Sequence, residues 1–379
     1  MLRLYEKWMV NWETRLTTRD TNRVVRPFDW GVDWTQGWPG ANGHAPEAAH
    51  GALERHFHEL NRHIIEHSDE FFAYQTPGDF RLETRKVLPY FSGGHVDNKD
   101  YGEGVFLRFT SPHPSPFPEN NSVNARWFPE KSRSGRNGRN GGRTRGKRAV
   151  VVLPQWNSDA ISHNALCTLL NRCGIAALRV SMPYHDVRRP AELQRADYAV
   201  SANIGRTIAA ARQGITDIRC CLDWLEQQGY TELGVLGTSL GSCYAFIASA
   251  HDPRLKVNAF NHASTYYADV VWTGQSTRHI RAGVEEVITI DSLRQSWAAI
   301  SPMSYFDKFA RWPKKSLVVY ATYDLTFLPE FSKQVVAEFE RRNLKHKVAV
   351  LPCGHYTTGE TPYKFMDAWH LVTFLNKSL

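Results

Sequence analysis

The chain has 379 residues, 42% of them hydrophobic and 22% charged, a composition that excludes a disordered or fibrous protein. No apolar run approaches the roughly 18 residues of a membrane span, and the N-terminal segment carries charges where a secretory signal needs an apolar core. We therefore expect a cytoplasmic protein without a membrane anchor. The net charge of +8 would suggest a nucleic-acid partner if it were spread over the chain.

The excess charge lies in one segment, residues 131–148, which read KSRSGRNGRNGGRTRGKR and hold eight Lys or Arg and no acid. The rest of the chain balances, with 38 basic and 38 acidic residues. A Gly/Asn/Arg-rich stretch is typical of a flexible linker. An arginine-rich linker could contact RNA electrostatically, but no aromatic side chain is interleaved for base stacking, so we do not expect a nucleic-acid partner.

The chain before this linker is poor in strands. Residues 1–46 predict a short helix followed by loops, and 47–74 predict an amphipathic helix. Strand-like runs follow at 104–109 and 125–128. We expect residues 1–130 to pack on the rest of the protein as an extension, because they offer too few strands to build a core of their own.

After the linker, apolar strand-like runs alternate with helical patterns over residues 149–379. The predicted strands are 148–154, 176–180, 233–236, 257–260, 316–320 and 347–351, and the predicted helices are about 161–173, 204–228, 240–250 and 362–377. This alternation predicts an α/β fold with a mostly parallel sheet covered by helices on both faces. The stretch 262–306 interrupts this alternation of strands and helices. It predicts a helical insertion that covers the active site.

Residues Gly237-Thr238-Ser239-Leu240-Gly241 match the pattern G-x-S-x-G between a buried strand and an apolar helix. A sharp strand-to-helix turn of this kind exposes the serine oxygen, and the glycines let neighbouring backbone pass closely. We therefore predict that Ser239 is a nucleophile.

A serine nucleophile needs a base and an acid that orients the base. Asp324 and His355 each follow a predicted strand, in the chain order Ser, Asp, His. His262 also follows a strand, but as the base it would break this order. Glu330 and Asp307 are alternatives to Asp324, although neither directly follows a strong strand. Ser239, Asp324 and His355 are thus the predicted catalytic residues.

The remaining site predictions concern backbone donors and polar contacts. The oxyanion hole is expected from the N–H groups of Leu240 and Trp156, with Gln155 as the second choice after Trp156. Pro154 is excluded because it has no N–H. Gln155, His185 and Arg188 are weaker candidates for contacts with substrate.

The triad and its setting resemble the α/β-hydrolase superfamily over residues 148–379. A second resemblance, to the family of alpha/beta-hydrolase domain-containing protein 18, extends back to about residue 105. It is carried by Phe109-Thr110-Ser111-Pro112, Ala125-Arg126, Met182-Pro183-Tyr184-His185, Arg189-Pro190 and the elbow at 237–241. The resemblance implies the hydrolase fold and a serine triad, without implying a substrate.

The sequence thus predicts a carboxylic-ester hydrolase that acts on a small-molecule ester or acyl substrate, with no cofactor and no metal. Acyl transfer, thioester cleavage and amide cleavage by the same triad are alternatives. An alternative of another class is a non-catalytic binding protein on a hydrolase fold. The oligomeric state is not indicated by any pattern.

Overall fold

The computed structural model describes residues 2–41, 49–87, 91–92, 95–96, 100–131 and 146–379. Most of the basic linker predicted at 131–148, namely residues 132–145, therefore lies outside the described residues. The division of the chain into extension, linker and core stays a prediction.

The described strands are β1 (Arg81–Lys86), β2 (Phe91–Ser92), β3 (His95–Val96), β4 (Glu103–Thr110), β5 (Ser122–Phe128), β6 (Lys147–Leu153), β7 (Ala176–Val180), β8 (Tyr230–Thr238), β9 (Leu255–Asn261), β10 (Lys315–Ala321) and β11 (His346–Leu351). The described α-helices are α1 (Leu2–Thr18), α2 (His50–Glu66), α3 (Ser68–Phe71), α4 (Asn164–Arg172), α5 (Ile204–Gln227), α6 (Leu240–His251), α7 (Tyr267–Thr273), α8 (Arg278–Val284), α9 (Ile290–Ser296), α10 (Phe306–Phe309), α11 (Pro329–Arg341) and α12 (Tyr363–Ser378).

Nine strands form one sheet in the order β1-β4-β5-β7-β6-β8-β9-β10-β11. The six strands from β7 to β11 in this order are parallel, whereas β1, β4 and β5 add to the β7 edge in antiparallel pairing. Strands β1, β4 and β5 before the basic linker thus belong to the same sheet as the strands after it, whereas β2 and β3 form a separate two-stranded sheet.

The central strands are apolar on both faces, as parallel strands covered on both sides must be. Along β6, Val151 and Leu153 pack into one core cluster, and Val150 and Val152 into the other. Alternate side chains point to opposite faces of a strand, so each face of the sheet has its own core. Helices α5 and α6 cover the first face, and α4 and α12 cover the second.

The parallel pairing brings four strand ends together. Strands β8, β9, β10 and β11 are neighbours and run in the same direction, so the loops that follow them meet at one edge of the sheet. The segment 262–306 forms short helices beside this edge, in agreement with the predicted helical insertion.

The N-terminal part departs from the prediction in two places. Helix α1 has 17 residues instead of being short, and it contacts the turn at Thr357–Gly359 after β11. The predicted helix 47–74 is two helices, α2 and α3, separated at His67, which has φ −109° and ψ 35°.

Within the described residues, none of the helices combines the length and apolarity needed to cross a bilayer. A cytoplasmic location stays a prediction.

Candidate active site

Ser239 lies in the turn between β8 and α6 with φ 57° and ψ −121°. A positive φ is strained for a residue with a Cβ atom, so the surrounding structure must hold this turn in place. The flanking glycines allow the close approach. A Cβ on Gly237 would lie 2.1 Å from the carbonyl oxygen of Gly241, and a Cβ on Gly241 would lie 2.5 Å from that of Leu153. Only glycine fits at either position.

Three side chains from three loops form a hydrogen-bonded chain at this edge of the sheet. Nε2 of His355 lies 3.1 Å from Oγ of Ser239, and Nδ1 of His355 lies 2.8 Å from Oδ2 of Asp324. A carboxylate only accepts hydrogen bonds, so Nδ1 carries the proton and Nε2 is free to accept the serine proton. The three residues predicted from the sequence are thus linked by hydrogen bonds, with His355 between Asp324 and Ser239.

The other oxygen of Asp324 is fixed by backbone. Its Oδ1 accepts hydrogen bonds from the N–H groups of Thr326 and Phe327, at 2.8 and 2.7 Å. The Phe327 ring stacks on the His355 imidazole with 5.3 Å between ring centroids and 15° between planes. Both members of the pair are therefore held in orientation.

A second histidine shares the same carboxylate. Nδ1 of His262, in the loop after β9, lies 2.9 Å from Oδ2 of Asp324. The residue is 1% exposed and has φ 54°. Its Nε2 is buried without a hydrogen-bond partner among the described residues. The sequence argument considered His262 only as a rival base and did not predict this contact.

Helix α1 places a carboxylate behind the loop that carries His355. Oε1 of Glu13 accepts the N–H of Tyr356 at 2.8 Å, and Oε2 accepts the N–H and the hydroxyl of Thr357 at 2.9 and 3.0 Å. Glu13 is fully buried, and a Cβ on Gly354 would lie 2.3 Å from its Oε2. The loop and the helix are therefore fitted closely to each other, a contact that the sequence argument missed.

The electrostatics follow from this arrangement. Burial by itself would raise the pKa of Asp324, but the charge of His355 and the hydrogen bonds from both histidines hold this pKa well below its usual range. Burial opposes protonation of His355, yet the charge and hydrogen bond of Asp324, with a contribution from Glu13, raise its pKa above the ordinary value. Burial and the nearby His355 lower the pKa of His262.

His262, Asp324 and His355 could also be considered as metal ligands, since their ligand atoms lie within 4.8 Å of one another. The two nitrogen-to-oxygen distances of 2.8 and 2.9 Å are those of hydrogen bonds. Two ligand atoms about 2.0–2.1 Å from a tetrahedral zinc ion would lie roughly 3.3 Å apart. The geometry fits a hydrogen-bonded cluster better than a metal centre.

Ser239 opens into a cavity of about 810 Å³. The insertion contributes Tyr267, Val270 and Val271 to its walls, and helices α4 and α12 contribute a second side. A cavity of this size suits a small-molecule ligand. The predicted site residues that line it are Gln155, Trp156, His185, Ser239, Leu240 and His355.

The loop after β6 is held by side chains around it. The indole Nε1 of Trp156 donates to the carbonyl oxygen of Ala196 at 2.9 Å. The N–H of Asn157 donates to Nε2 of His185 at 3.0 Å, so this N–H is already used. The roles of Trp156, Gln155 and Leu240 in an oxyanion hole stay predictions.

Two predicted substrate contacts have structural partners instead. His185 is 1% exposed, its Nδ1 bonds the carbonyl oxygen of Pro183, and burial lowers its pKa to about 4. It lines the cavity but supports the loop at Asn157. Arg188 is fully buried, lies 2.8 Å from Asp217, and is not among the described residues that line the cavity. Its guanidinium is engaged within the protein, and its contact with substrate stays a prediction.

Comparison with known proteins places the chain among hydrolase folds. The sequence model for the family described as "Alpha/beta hydrolase domain containing 18" matches residues 159–310, which is less than half of the chain. This range includes Ser239 and His262 and ends before Asp324 and His355. No curated protein matches the chain.

Among solved structures, the chain is similar to an acetyl xylan esterase from Paenibacillus sp. R4, with 11% identity, a TM-score of 0.54, and coverage of 96% of this chain and 99% of that one. It is also similar to acetyl xylan esterase 1 from Thermoanaerobacterium sp. JW/SL YS485, with 14% identity, a TM-score of 0.52, and coverage of 92% of this chain and 99% of that one. An acylaminoacyl peptidase from Pyrococcus horikoshii matches 79% of this chain with 11% identity and a TM-score of 0.53, but the chain spans only 48% of that protein. These likenesses confirm the predicted α/β-hydrolase fold and the resemblance seen in the sequence.

Proposed function

We propose that this α/β-hydrolase-fold protein cleaves a carboxylic ester through an acyl-enzyme intermediate on Ser239. The observation that carries the proposal is the continuous chain of hydrogen bonds from Asp324 through His355 to the serine oxygen, at 2.8 and 3.1 Å, beside a cavity. A serine held at positive φ between two glycines is the setting in which such a chain activates a nucleophile.

In the acylation step, Oγ of Ser239 attacks the ester carbonyl carbon while Nε2 of His355 takes the serine proton. Asp324 holds the imidazole in the required tautomer and stabilises the imidazolium. The oxyanion is expected to accept hydrogen bonds from the N–H groups of Leu240 and Trp156, or Gln155 in place of Trp156. His355 then gives its proton to the alcohol oxygen as the carbon–oxygen bond breaks.

In the deacylation step, water attacks the acyl carbon and His355 again removes a proton. The second tetrahedral intermediate collapses to the carboxylic acid, and the proton returns to Oγ of Ser239. The chemistry uses only the three side chains, backbone donors and water.

The ester bond is our choice among the bonds that such a triad can cleave. Two of the similar structures bear the name acetyl xylan esterase, which supports an ester. A third is an acylaminoacyl peptidase, which keeps amide cleavage as an alternative. Thioester cleavage and acyl transfer use the same triad, and access of water and the shape of the cavity decide among them.

The test is labelling with a fluorophosphonate together with hydrolysis of p-nitrophenyl esters of graded chain length. Wild-type protein should be labelled and should hydrolyse at least one ester. Ser239→Ala should lose both, with a fall in turnover of roughly a million-fold, because triad members act as a unit. Its melting temperature should stay close to that of wild type, since one small polar atom is removed.

Ser249→Ala is the matched control. Ser249 lies on the same helix, α6, and its hydroxyl is buried without a hydrogen-bond partner among the described residues, so this variant should be fully active. Ser242 is less suitable, because its hydroxyl donates to the carbonyl oxygens of Ser239 and His262. Folded wild-type protein that is inert to every ester and to the phosphonate would favour a binding protein. Labelling that persists in Ser239→Ala would mean that another residue is the nucleophile.

A further inference from the structure

The cavity beside Ser239 has a wall, formed by α4 and α12, that the proposed mechanism does not use. Helix α4 contributes the apolar residues Ala165, Leu166 and Leu169 to it. Helix α12 contributes four residues, Lys364, Phe365, Asp367 and Ala368. The Lys364 side chain is exposed, whereas Asp367 is half-buried. The wall is therefore largely apolar around one carboxyl group.

Asp367 has little to compensate its charge. The amide Nδ2 of Asn261 donates to its two oxygens, at 3.1 and 3.0 Å. No ion pair to Asp367 occurs within the described part of the chain, and burial raises its pKa to about 7 in spite of the Asn261 hydrogen bond. Two carboxylate oxygens have about four acceptor positions, so about half of this capacity is unused.

Asn261 is itself only partly satisfied. Its side chain is 1% exposed and lines the cavity, and its Oδ1 is buried without a partner among the described residues. Its backbone carbonyl accepts the N–H of Ser239 at 2.8 Å. Asn261 therefore connects Asp367 directly to the turn that carries the nucleophile.

A carboxyl group with spare acceptor positions on the wall of a largely apolar cavity favours a ligand that supplies donors. We propose that Asp367, positioned by the side chain of Asn261, forms a subsite for a hydrogen-bond-donating group of the substrate, either a hydroxyl or a protonated amine. This proposal rests on the proposed ester hydrolysis. The subsite would select esters that carry a donor a few atoms from the scissile bond over esters that are apolar throughout.

The first experiment compares kcat/KM for propyl butyrate, 2-hydroxyethyl butyrate and 2-(dimethylamino)ethyl butyrate at about pH 8, where a carboxyl with a pKa near 7 is ionised. Ethyl butyrate and ethyl 3-hydroxybutyrate place the donor on the acyl side instead. Wild type should prefer a donor-bearing ester in at least one series by roughly tenfold, as expected when one buried hydrogen bond distinguishes two ligands.

Asp367→Leu should abolish this preference, because kcat/KM should fall roughly tenfold more for the donor-bearing ester than for its apolar counterpart. Asp367→Asn should keep part of the preference for hydroxyl and lose that for the protonated amine, because the amide can accept a hydrogen bond but has no charge. The control is Glu340→Gln, which removes an exposed acid on α11 outside the cavity and should keep the full preference.

The second experiment does not require turnover. Calorimetric titration of the same esters into Ser239→Ala should give tighter binding of the donor-bearing ester, and the double variant with Asp367→Leu should bind both equally. Wild type without phosphonate labelling would contradict the hydrolase function, and this titration would still test the subsite. Equal binding of donor-bearing and apolar esters to Ser239→Ala, or a preference that survives Asp367→Leu, would overturn the subsite.

Discussion

The loops after β9 and β11 each bring a histidine to the same oxygen of Asp324. Nδ1 of His262 lies 2.9 Å from this oxygen and Nδ1 of His355 lies 2.8 Å from it. The far nitrogens differ, since that of His355 reaches Oγ of Ser239 at 3.1 Å, whereas that of His262 has no partner among the described residues. The difference teaches that contact with the acid does not identify the base; contact with the nucleophile does.

The two histidines also differ in charge. The pKa of His355 is raised and that of His262 is lowered, mainly because burial outweighs the shared carboxylate only for His262. One carboxylate can stabilise one imidazolium well, and a second positive charge beside it would be repelled. His262 therefore stays neutral as His355 takes up the proton. Substitutions in the two loops should separate these roles.

The largest difference is expected from removing each imidazole. His355→Ala should lose roughly a million-fold in turnover, because the serine then has no base. His262→Ala should keep most of the turnover. The measurement is kcat for the best p-nitrophenyl ester, with fluorophosphonate labelling as a second readout. Equal losses in the two variants would mean that the hydrogen-bond chain assigned here is not the catalytic one.

Asp324→Asn should have the next largest effect, about ten-thousand-fold in kcat. The amide cannot accept hydrogen bonds from both histidines through one atom and also from the backbone N–H groups of Thr326 and Phe327 through the other, so the imidazole tautomers are disturbed. Turnover should be followed with the melting temperature, because a buried acceptor is lost. A fall of less than tenfold in a folded variant would argue against Asp324 as the orienting acid.

The residues of this candidate site could be predicted from the sequence because each lies at or shortly after the end of a strand. Ser239, Asp324 and His355 were accessible because the strands before them are apolar runs with clear ends. The contact between His262 and Asp324 was not, because it requires knowing that β9 and β10 are neighbours in the sheet. Chain order argued against His262 as the base but could not place it beside Asp324.

Glu13 was missed for a related reason. It contacts residues more than 340 positions away in the chain, and no local pattern predicts such a pairing. One signal was present, since Met9, Glu13 and Thr17 recur every four residues and all are fully buried. An acid on the buried stripe of a helix needs a partner, but the sequence does not say which loop provides it. For the same reason the N-terminal region was predicted only as an extension.

Glu13→Gln should have an intermediate effect on the His355 loop. One acidic oxygen becomes an NH₂ group that faces an N–H donor, which should lower the free energy of unfolding by about 1–3 kcal/mol. The charge of Glu13 helps to raise the pKa of His355, so its loss should lower that pKa. Since His355 must be neutral to accept the serine proton, the acidic limb of kcat/KM should move to lower pH.

Glu6→Gln provides the matched control for Glu13→Gln, since Glu6 is an exposed acid on the same helix. Its pH profile and melting temperature should equal those of wild type. A Glu13→Gln profile that moves to higher pH, or one that does not move at all, would contradict the electrostatic role of Glu13. Glu13 would then act on the His355 loop only through packing and hydrogen bonds.

The smallest change in turnover is expected from His262→Phe. Its pH dependence should shift in the direction opposite to that expected for Glu13→Gln. The ring is kept but the donor to Oδ2 of Asp324 is removed, so the carboxylate acts on His355 alone. This change raises the pKa of His355 further, so the acidic limb of kcat/KM should move to higher pH.

The plateau of kcat in His262→Phe should fall by less than about tenfold, because the contact between His355 and Ser239 is untouched and Asp324 loses only one of its donors. His251→Phe is the control, since His251 is another buried histidine but does not line the cavity; its pH profile should be that of wild type. The left-handed backbone at position 262, with φ 54°, is less favourable for Phe than for His, so melting should be measured alongside. A stable His262→Phe protein whose acidic limb moves to lower pH would show that His262 supports the protonated base instead of competing with it, and the comparison of the two loops would have to be reversed.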